Sequence, residues 1–119
     1  MRALIVPLLA LLLAAPAAAQ DRSPAARRTL VDLAYVLGQS HALALACDGQ
    51  TQTWRARMAR LRELEAPDVA FDRQLVSGFN TGFLDVQTRY PECGPAARRA
   101  MAAVAARGRD LSRVVASAR

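Results

Sequence analysis

Residues 30–47 read LVDLAYVLGQSHALALAC and end on one of the chain's two cysteines. Apolar side chains recur along this segment at the three- and four-residue spacing of an amphipathic helix. Asp32 and Gln39 fall on the opposite face of the same helical wheel. The pattern predicts a first helix over residues 24–46, with a serine and a proline at its start.

Three further helical patterns follow, and proline residues mark their boundaries. Two glycines, Gly78 and Gly82, lie one turn apart in the third pattern, where each costs about 1 kcal/mol relative to alanine. We expect a neighbouring helix to approach closely there and offset that cost. In the fourth pattern, the Arg-Gly-Arg at residues 107–109 predicts a kink or an early end. The predicted core residues of these helices are Trp54, Met58, Phe71, Leu75, Phe79, Met101 and Val104.

Four helices joined by short loops predict an all-α fold, a small antiparallel four-helix bundle. In that order the first and third helices end on the same side of the bundle, which brings Cys47 and Cys93 together. Exported chains with an even number of cysteines usually form disulfides. We therefore predict one Cys47–Cys93 disulfide that clamps the bundle and stabilises it by about 4 kcal/mol on the chain-entropy model.

The N-terminal segment predicts export from the cytoplasm. A positive start, a short apolar run and small residues before position 20 are typical of a cleaved signal peptide over residues 1–19. Residues 20–119 then form a single helical domain, which we expect in the periplasm with no membrane span after cleavage. The alternative is an uncleaved membrane anchor.

All 16 basic residues of the chain are arginine, against 10 acidic residues, which gives a net charge of +6. In an exported protein this balance favours an anionic envelope component or an acidic protein as partner and argues against nucleic acid. The favoured explanation of the arginines is a GC-rich genome that favours arginine and alanine codons, because alanine is abundant as well. The candidate surface for an anionic partner lies on the second and fourth helices and comprises Arg55, Arg57, Arg60, Arg62, Arg98, Arg99, Arg109 and Arg113.

The only histidine, His41, lies on the apolar face of the first helix. One hypothesis makes it an axial haem ligand, with Met58 or Met101 across the bundle. The favoured interpretation is a core histidine that is hydrogen-bonded to a backbone or hydroxyl group. We predict no metal site, no cofactor and no catalytic residues, because no nucleophile with a plausible base emerges.

The segment GFNTGF, residues 78–83, permits two interpretations. Its glycines either open a ligand crevice, with Asn80 and Thr81 as polar contacts, or allow close helix packing, which we favour. Tyr35 lies off the core face of its helix and is a candidate for surface recognition.

Four segments together, LVDLAYVLGQSHALALAC, WRARMARLRELEAP, LVSGFNTGF and YPECGPAARRA, carry a resemblance that covers nearly all of residues 30–108. The chain resembles a family of small exported proteins of unknown function from Gram-negative bacteria. The resemblance implies export and a helical fold, and it supplies no site residues.

These observations predict a non-enzymatic binding or structural module for an anionic envelope component or an acidic envelope protein. The alternatives are a periplasmic chaperone or stress factor, and a carrier of a small ligand or haem. The sequence leaves the oligomeric state open.

Overall fold

The computed structural model describes residues 22–49 and 52–118. Its four helices are α1 (Pro24–Cys47), α2 (Gln52–Glu65), α3 (Val69–Arg89) and α4 (Pro95–Ser117). The predicted all-α fold, a helical bundle that carries one disulfide, is confirmed. The predicted signal peptide, residues 1–19, lies outside the described residues.

The helix starts follow local chemistry that is readable in the sequence. The Ser23 hydroxyl accepts a hydrogen bond of 3.2 Å from the backbone N–H of Ala26, and Pro24 occupies the first helical position. The Asp68 carboxylate accepts a 2.7 Å bond from the backbone N–H of Phe71 and begins α3 in the same way. Each cap provides an acceptor for an N–H group that has no partner within its helix.

The bundle is organised around α1, against which each of the other three helices packs. By length and composition alone α1 could cross a membrane. In the structure its apolar side chains supply most of the protein core instead. The buried residues of α1 are Ala26, Leu30, Ala34, Val36, Leu37, Gly38, Ser40, His41, Ala42, Leu43 and Ala44.

Helices α1 and α3 lie side by side and run in the same direction. Gly78 packs against Val31, and Gly82, one turn further along α3, packs against the backbone of Tyr35 one turn further along α1. The disulfide joins the far ends of this pair, with 5.0 Å between the two Cα atoms.

The other two helices return along α1. Arg22, directly ahead of α1, bonds to Glu65 at the end of α2 and to the carbonyl oxygen of Val115 near the end of α4. Gly108 of α4 packs against Val36 in the middle of α1. The start of α1 therefore meets the ends of both α2 and α4.

Two apolar clusters form the core, one on each half of α1. The first contains Leu30, Ala34, Leu37, Met58, Phe71 and Leu75, and the second, next to the disulfide, contains Ala42, Leu43, Val86 and Ala97. Four predicted core residues, Trp54, Phe79, Met101 and Val104, are only half-buried at the edges of these clusters. The prediction that they are buried therefore holds only in part, because they pack against the clusters but keep part of their surface exposed.

Helix α4 continues through Gly108 without interruption to Ser117. The predicted early end at residues 107–109 was therefore wrong, and the predicted kink stays a prediction. Gly108 lies inside this helix and packs closely against Val36 of α1.

Candidate binding groove

A groove with a volume of about 470 Å³ lies between α2 and α4 and has α1 as its floor. No Cα atom of α2 comes within 8 Å of one of α4, so the two helices form separate walls. The residues that line the groove are Leu33, Val36, Leu37 and Ser40 from α1, Trp54 and Arg57 from α2, and Val104, Ala105, Gly108, Arg109, Ser112 and Arg113 from α4.

The sequence of α4 keeps this groove open. Ala105, Gly108 and Ser112 recur at spacings of three and four residues, so they lie on one face of the helix, and all three line the groove. None has a side chain large enough to reach α2. Larger side chains at the same positions would fill the space.

Three arginines lie around the apolar floor. The guanidinium of Arg57 lies over the Trp54 ring, 4.5 Å from its centroid, in a cation–π contact. Arg113 pairs with Asp110 on the same helix, and both side chains are exposed. Arg109 forms no ion pair or hydrogen bond with any residue of the described ranges. The groove thus combines an apolar floor with a cationic rim.

The remaining arginines of the predicted anionic-partner surface do not reach the groove. Arg62 forms two 2.8 Å hydrogen bonds to Asp72 of α3, and this pairing lowers the pKa of the Asp72 carboxyl. Arg60 lies 3.6 Å from Glu63 on its own helix, where both side chains are exposed. Arg55, Arg98 and Arg99 are exposed elsewhere. The structure therefore brings together three of the eight predicted residues.

His41 lies in the core, as predicted, but without the predicted hydrogen bond at Nδ1. Its ring packs against both Phe79 and Phe83, with centroid distances of 5.8 and 5.3 Å. Nδ1 is buried and has no hydrogen-bond partner in the described part of the chain. Burial lowers the pKa of the imidazole, and the positive charge of Arg55 lowers it further. The apolar environment and the charge of Arg55 therefore both favour the neutral form of the ring.

The disulfide between Cys47 and Cys93 is present. Disulfides persist in oxidising compartments and are rare in the cytoplasm. The bond therefore indicates a compartment outside the cytoplasm.

A family model described as "Protein of unknown function (DUF2385)" matches residues 26–118, which include all of α2, α3 and α4 and nearly all of α1. The chain belongs to the DUF2385 family. No curated protein and no solved structure matches it. The expected resemblance to a family of unknown function is thereby confirmed, and the exported Gram-negative origin of that family stays a prediction.

The DUF2385 chain carries no group of three or more His, Cys, Asp or Glu side chains suited to a metal ion within residues 22–49 and 52–118. Its GFNTGF segment serves helix packing. A Cβ atom on Gly82 would overlap the carbonyl oxygen of Tyr35, whereas Asn80 and Thr81 face solvent. The Thr81 hydroxyl donates to the carbonyl oxygen of Ser77. The favoured packing interpretation therefore accounts for these glycines.

Sequence reasoning missed two features of this DUF2385 domain. The first is Gly38, whose Cβ, if present, would overlap the backbone carbonyl of Phe79. The second is an ion pair between Arg22 and Glu65, with hydrogen bonds of 3.0 and 2.9 Å and side chains only 7% and 10% exposed. The Glu65 carboxylate raises the pKa of the Arg22 guanidinium. Gly38 carries the same local signal as Gly78 and Gly82, a glycine inside a helix, whereas no local signal could have revealed the ion pair, because its residues are more than 40 positions apart.

Tyr35 is not the free surface residue that the helical wheel predicts. It is half-buried, and its hydroxyl donates a hydrogen bond to the Asp85 carboxylate on α3. This bond to a carboxylate raises the pKa of the Tyr35 phenol, and burial adds to the effect. Tyr35 therefore strengthens the pairing of α1 with α3.

Proposed function

We propose that the protein is an exported, non-enzymatic binding module whose groove between α2 and α4 receives an anionic partner. The observation that carries the proposal is the convergence of Arg57, Arg109 and Arg113 around one apolar floor. Arginine is suited to such a site because its planar guanidinium binds carboxylate or phosphate through two parallel hydrogen bonds.

The charges near the groove support an anionic partner. Asp110 pairs with Arg113, and no other acidic side chain pairs with a groove arginine within the described residues. Arg109 has no ion-pair partner in those ranges and is exposed to solvent. An incoming anion would therefore meet guanidinium groups whose charge is largely uncompensated.

The proposed compartment is the periplasm. The disulfide between Cys47 and Cys93 favours an oxidising environment, and the apolar N-terminal segment with small residues before position 20 is typical of a signal peptide. Detection of the protein in the periplasmic fraction, with a mass that corresponds to residues 20–119, would support this placement. A full-length chain in the membrane fraction would contradict it.

A photo-crosslinking residue placed in the groove tests the binding role in living cells. Ser112 lines the groove, whereas Ala103 is exposed on the same helix and lies outside the groove lining. We expect a crosslinker at position 112 to capture an anionic molecule that a crosslinker at position 103 does not capture. The captured molecule is identified by mass spectrometry.

The charge requirement is tested with the same crosslinker. Adduct formation from position 112 should fall when Arg109 and Arg113 are both replaced by glutamine. Equal capture at positions 112 and 103 would contradict the proposal. Capture of many unrelated unfolded proteins would instead favour a chaperone.

A further inference from the structure

We infer that the occupant of the groove is a lipid with a single acyl chain and a phosphate-bearing, net-anionic head group. This inference rests on the proposed function and specifies the chemistry of its partner. Three properties of the groove carry it: its size, its apolar floor and the arrangement of its arginines.

The size of the groove fits a small molecule better than a protein surface. Pockets for small ligands have volumes of about 300–1,000 Å³ and are lined mainly by apolar side chains with a few polar groups. The groove, at about 470 Å³, lies in that range. A stable protein–protein interface instead covers roughly 800 Å² on each partner and presents a broader surface.

The floor of the groove fits a hydrocarbon chain. Leu33, Val36 and Leu37 of α1 lie between Trp54 on one wall and Val104 on the other. Because the walls stand on either side of a single floor helix, the apolar surface forms one channel. One acyl chain matches that channel, whereas a lipid with two chains would leave the second chain in water.

The rim of the groove fits a phosphate. The guanidinium of Arg57 lies over the Trp54 ring, and its N–H groups form no hydrogen bond within the described residues, so they are available as donors. Arg109 and Arg113 provide further donors from the opposite wall. Three guanidinium groups offer more hydrogen bonds than one carboxylate can accept, and a phosphate presents additional acceptor oxygens.

The chain's single tryptophan makes the inference directly measurable. Trp54 is the only tryptophan and lines the groove, so its fluorescence reports on the site alone. We expect myristoyl lysophosphatidylglycerol, added below its micelle-forming concentration, to shift the Trp54 emission to shorter wavelength with saturation. Myristoyl lysophosphatidylcholine, whose head group has no net charge, should bind about tenfold more weakly, and glycerol 3-phosphate should give no shift.

A matched pair of variants tests the arginine contribution. Arg109→Gln should weaken binding of the anionic lysolipid about tenfold, because a hydrogen bond to a charged group is lost. Arg99→Gln removes the same charge from the same helix outside the groove lining and should leave binding unchanged. Both residues are exposed, so the two variants should fold as the parent does, which circular dichroism checks.

Equal affinity for the anionic and neutral lysolipids would overturn the inference, because the rim would then contribute nothing. An Arg109→Gln variant that binds like Arg99→Gln would also overturn it. If lysolipid fails but the crosslinker at Ser112 captures an acidic protein, the lipid inference falls and the proposed function stands. If neither experiment finds an anionic occupant, both fall.

Discussion

Helix α1 is packed in opposite ways on its two sides. Toward α3, Gly38 and Gly82 interlock so closely that a methyl group on either would overlap the backbone of the partner helix. Toward α2 and α4, a Cβ on Gly108 would meet only the Val36 Cγ1 atom, at 3.2 Å, beside an open groove. A glycine therefore faces rigid backbone on one side of α1 and a single side-chain methyl group on the other. We interpret the α3 side as the more tightly constrained side of α1, and the proposed binding takes place on the groove side.

The largest effect should come from the disulfide, which joins α1 to α3 at the end of the tightly packed α3 side, called the tight side below. Cys47→Ser should lower the free energy of unfolding by about 4 kcal/mol, because the unfolded chain regains the entropy that a loop closed over 46 positions removes. Urea unfolding followed by circular dichroism measures the loss. The double variant Cys47→Ser/Cys93→Ser should be no less stable than the single one. A parent protein whose stability is unaffected by complete reduction would contradict the prediction.

The second-largest effect should appear when a glycine on each side of α1 is replaced by alanine and the stabilities of the two variants are compared. Gly82→Ala should destabilise by about 3 kcal/mol, because the added methyl group must displace the backbone of α1 at Tyr35. Gly108→Ala is the matched control and should be neutral or stabilise by up to about 1 kcal/mol, since alanine favours the helix and a side-chain methyl of Val36 can yield. Urea midpoints of the two variants, measured side by side, provide the test. Similar losses in both would remove the distinction between the two sides.

A smaller loss of stability should follow from breaking the ion pair between Arg22 and Glu65, which joins the start of α1 to the end of α2 on the groove side. Glu65→Gln should destabilise by about 2 kcal/mol, because it leaves the buried Arg22 guanidinium without a compensating charge while an amide oxygen still accepts a hydrogen bond. The exposed pair of Arg60 with Glu63 provides the control, and Glu63→Gln should change stability by less than about 0.5 kcal/mol. Thermal unfolding that ranks Glu63→Gln as the more harmful variant would be the contrary result.

The smallest effect should be a dependence of stability on pH that arises from His41. Because the pKa of the folded imidazole is lowered, the unfolded chain takes up a proton first as the pH falls through about 6.5. The free energy of unfolding should therefore keep its full value above that pH and decrease below it. His41→Leu should abolish the decline between pH 7 and pH 5, since the chain has no other histidine. Unfolding curves of the parent protein that coincide at pH 7 and pH 5 would contradict this prediction, because they would show that folding does not lower the pKa of His41.

The features of this fold that the sequence predicted correctly are those that depend on residues close together in the chain or on the order of the helices. Ser23 caps α1 because its hydroxyl reaches an N–H three positions along the chain. The cysteine pairing followed from helix order, and the cost of Gly78 and Gly82 pointed to a close neighbour. These signals are local or depend only on the order of the helices.

The missed features depend on distances between helices that sequence patterns do not contain. The role of Gly38 depends on where the backbone of α3 passes, and the ion pair of Arg22 with Glu65 depends on where α2 ends. The groove exists because α2 and α4 stay apart on α1, which a helical wheel cannot show. Trp54 was predicted to be buried and packs against the core, but it also lines the open groove, which a helical wheel does not reveal.

The most direct test is a substitution that fills the groove and leaves the contact between α1 and α3 unchanged. Ala105 is exposed and lines the groove, and leucine is nearly as favourable as alanine in a helix. The decisive measurement is the yield of anionic adduct from the crosslinker at position 112 in the Ala105→Leu variant, together with its free energy of unfolding. We predict that the adduct is lost while stability stays within about 0.5 kcal/mol of the parent. An undiminished adduct from a stably folded, filled groove would contradict the account.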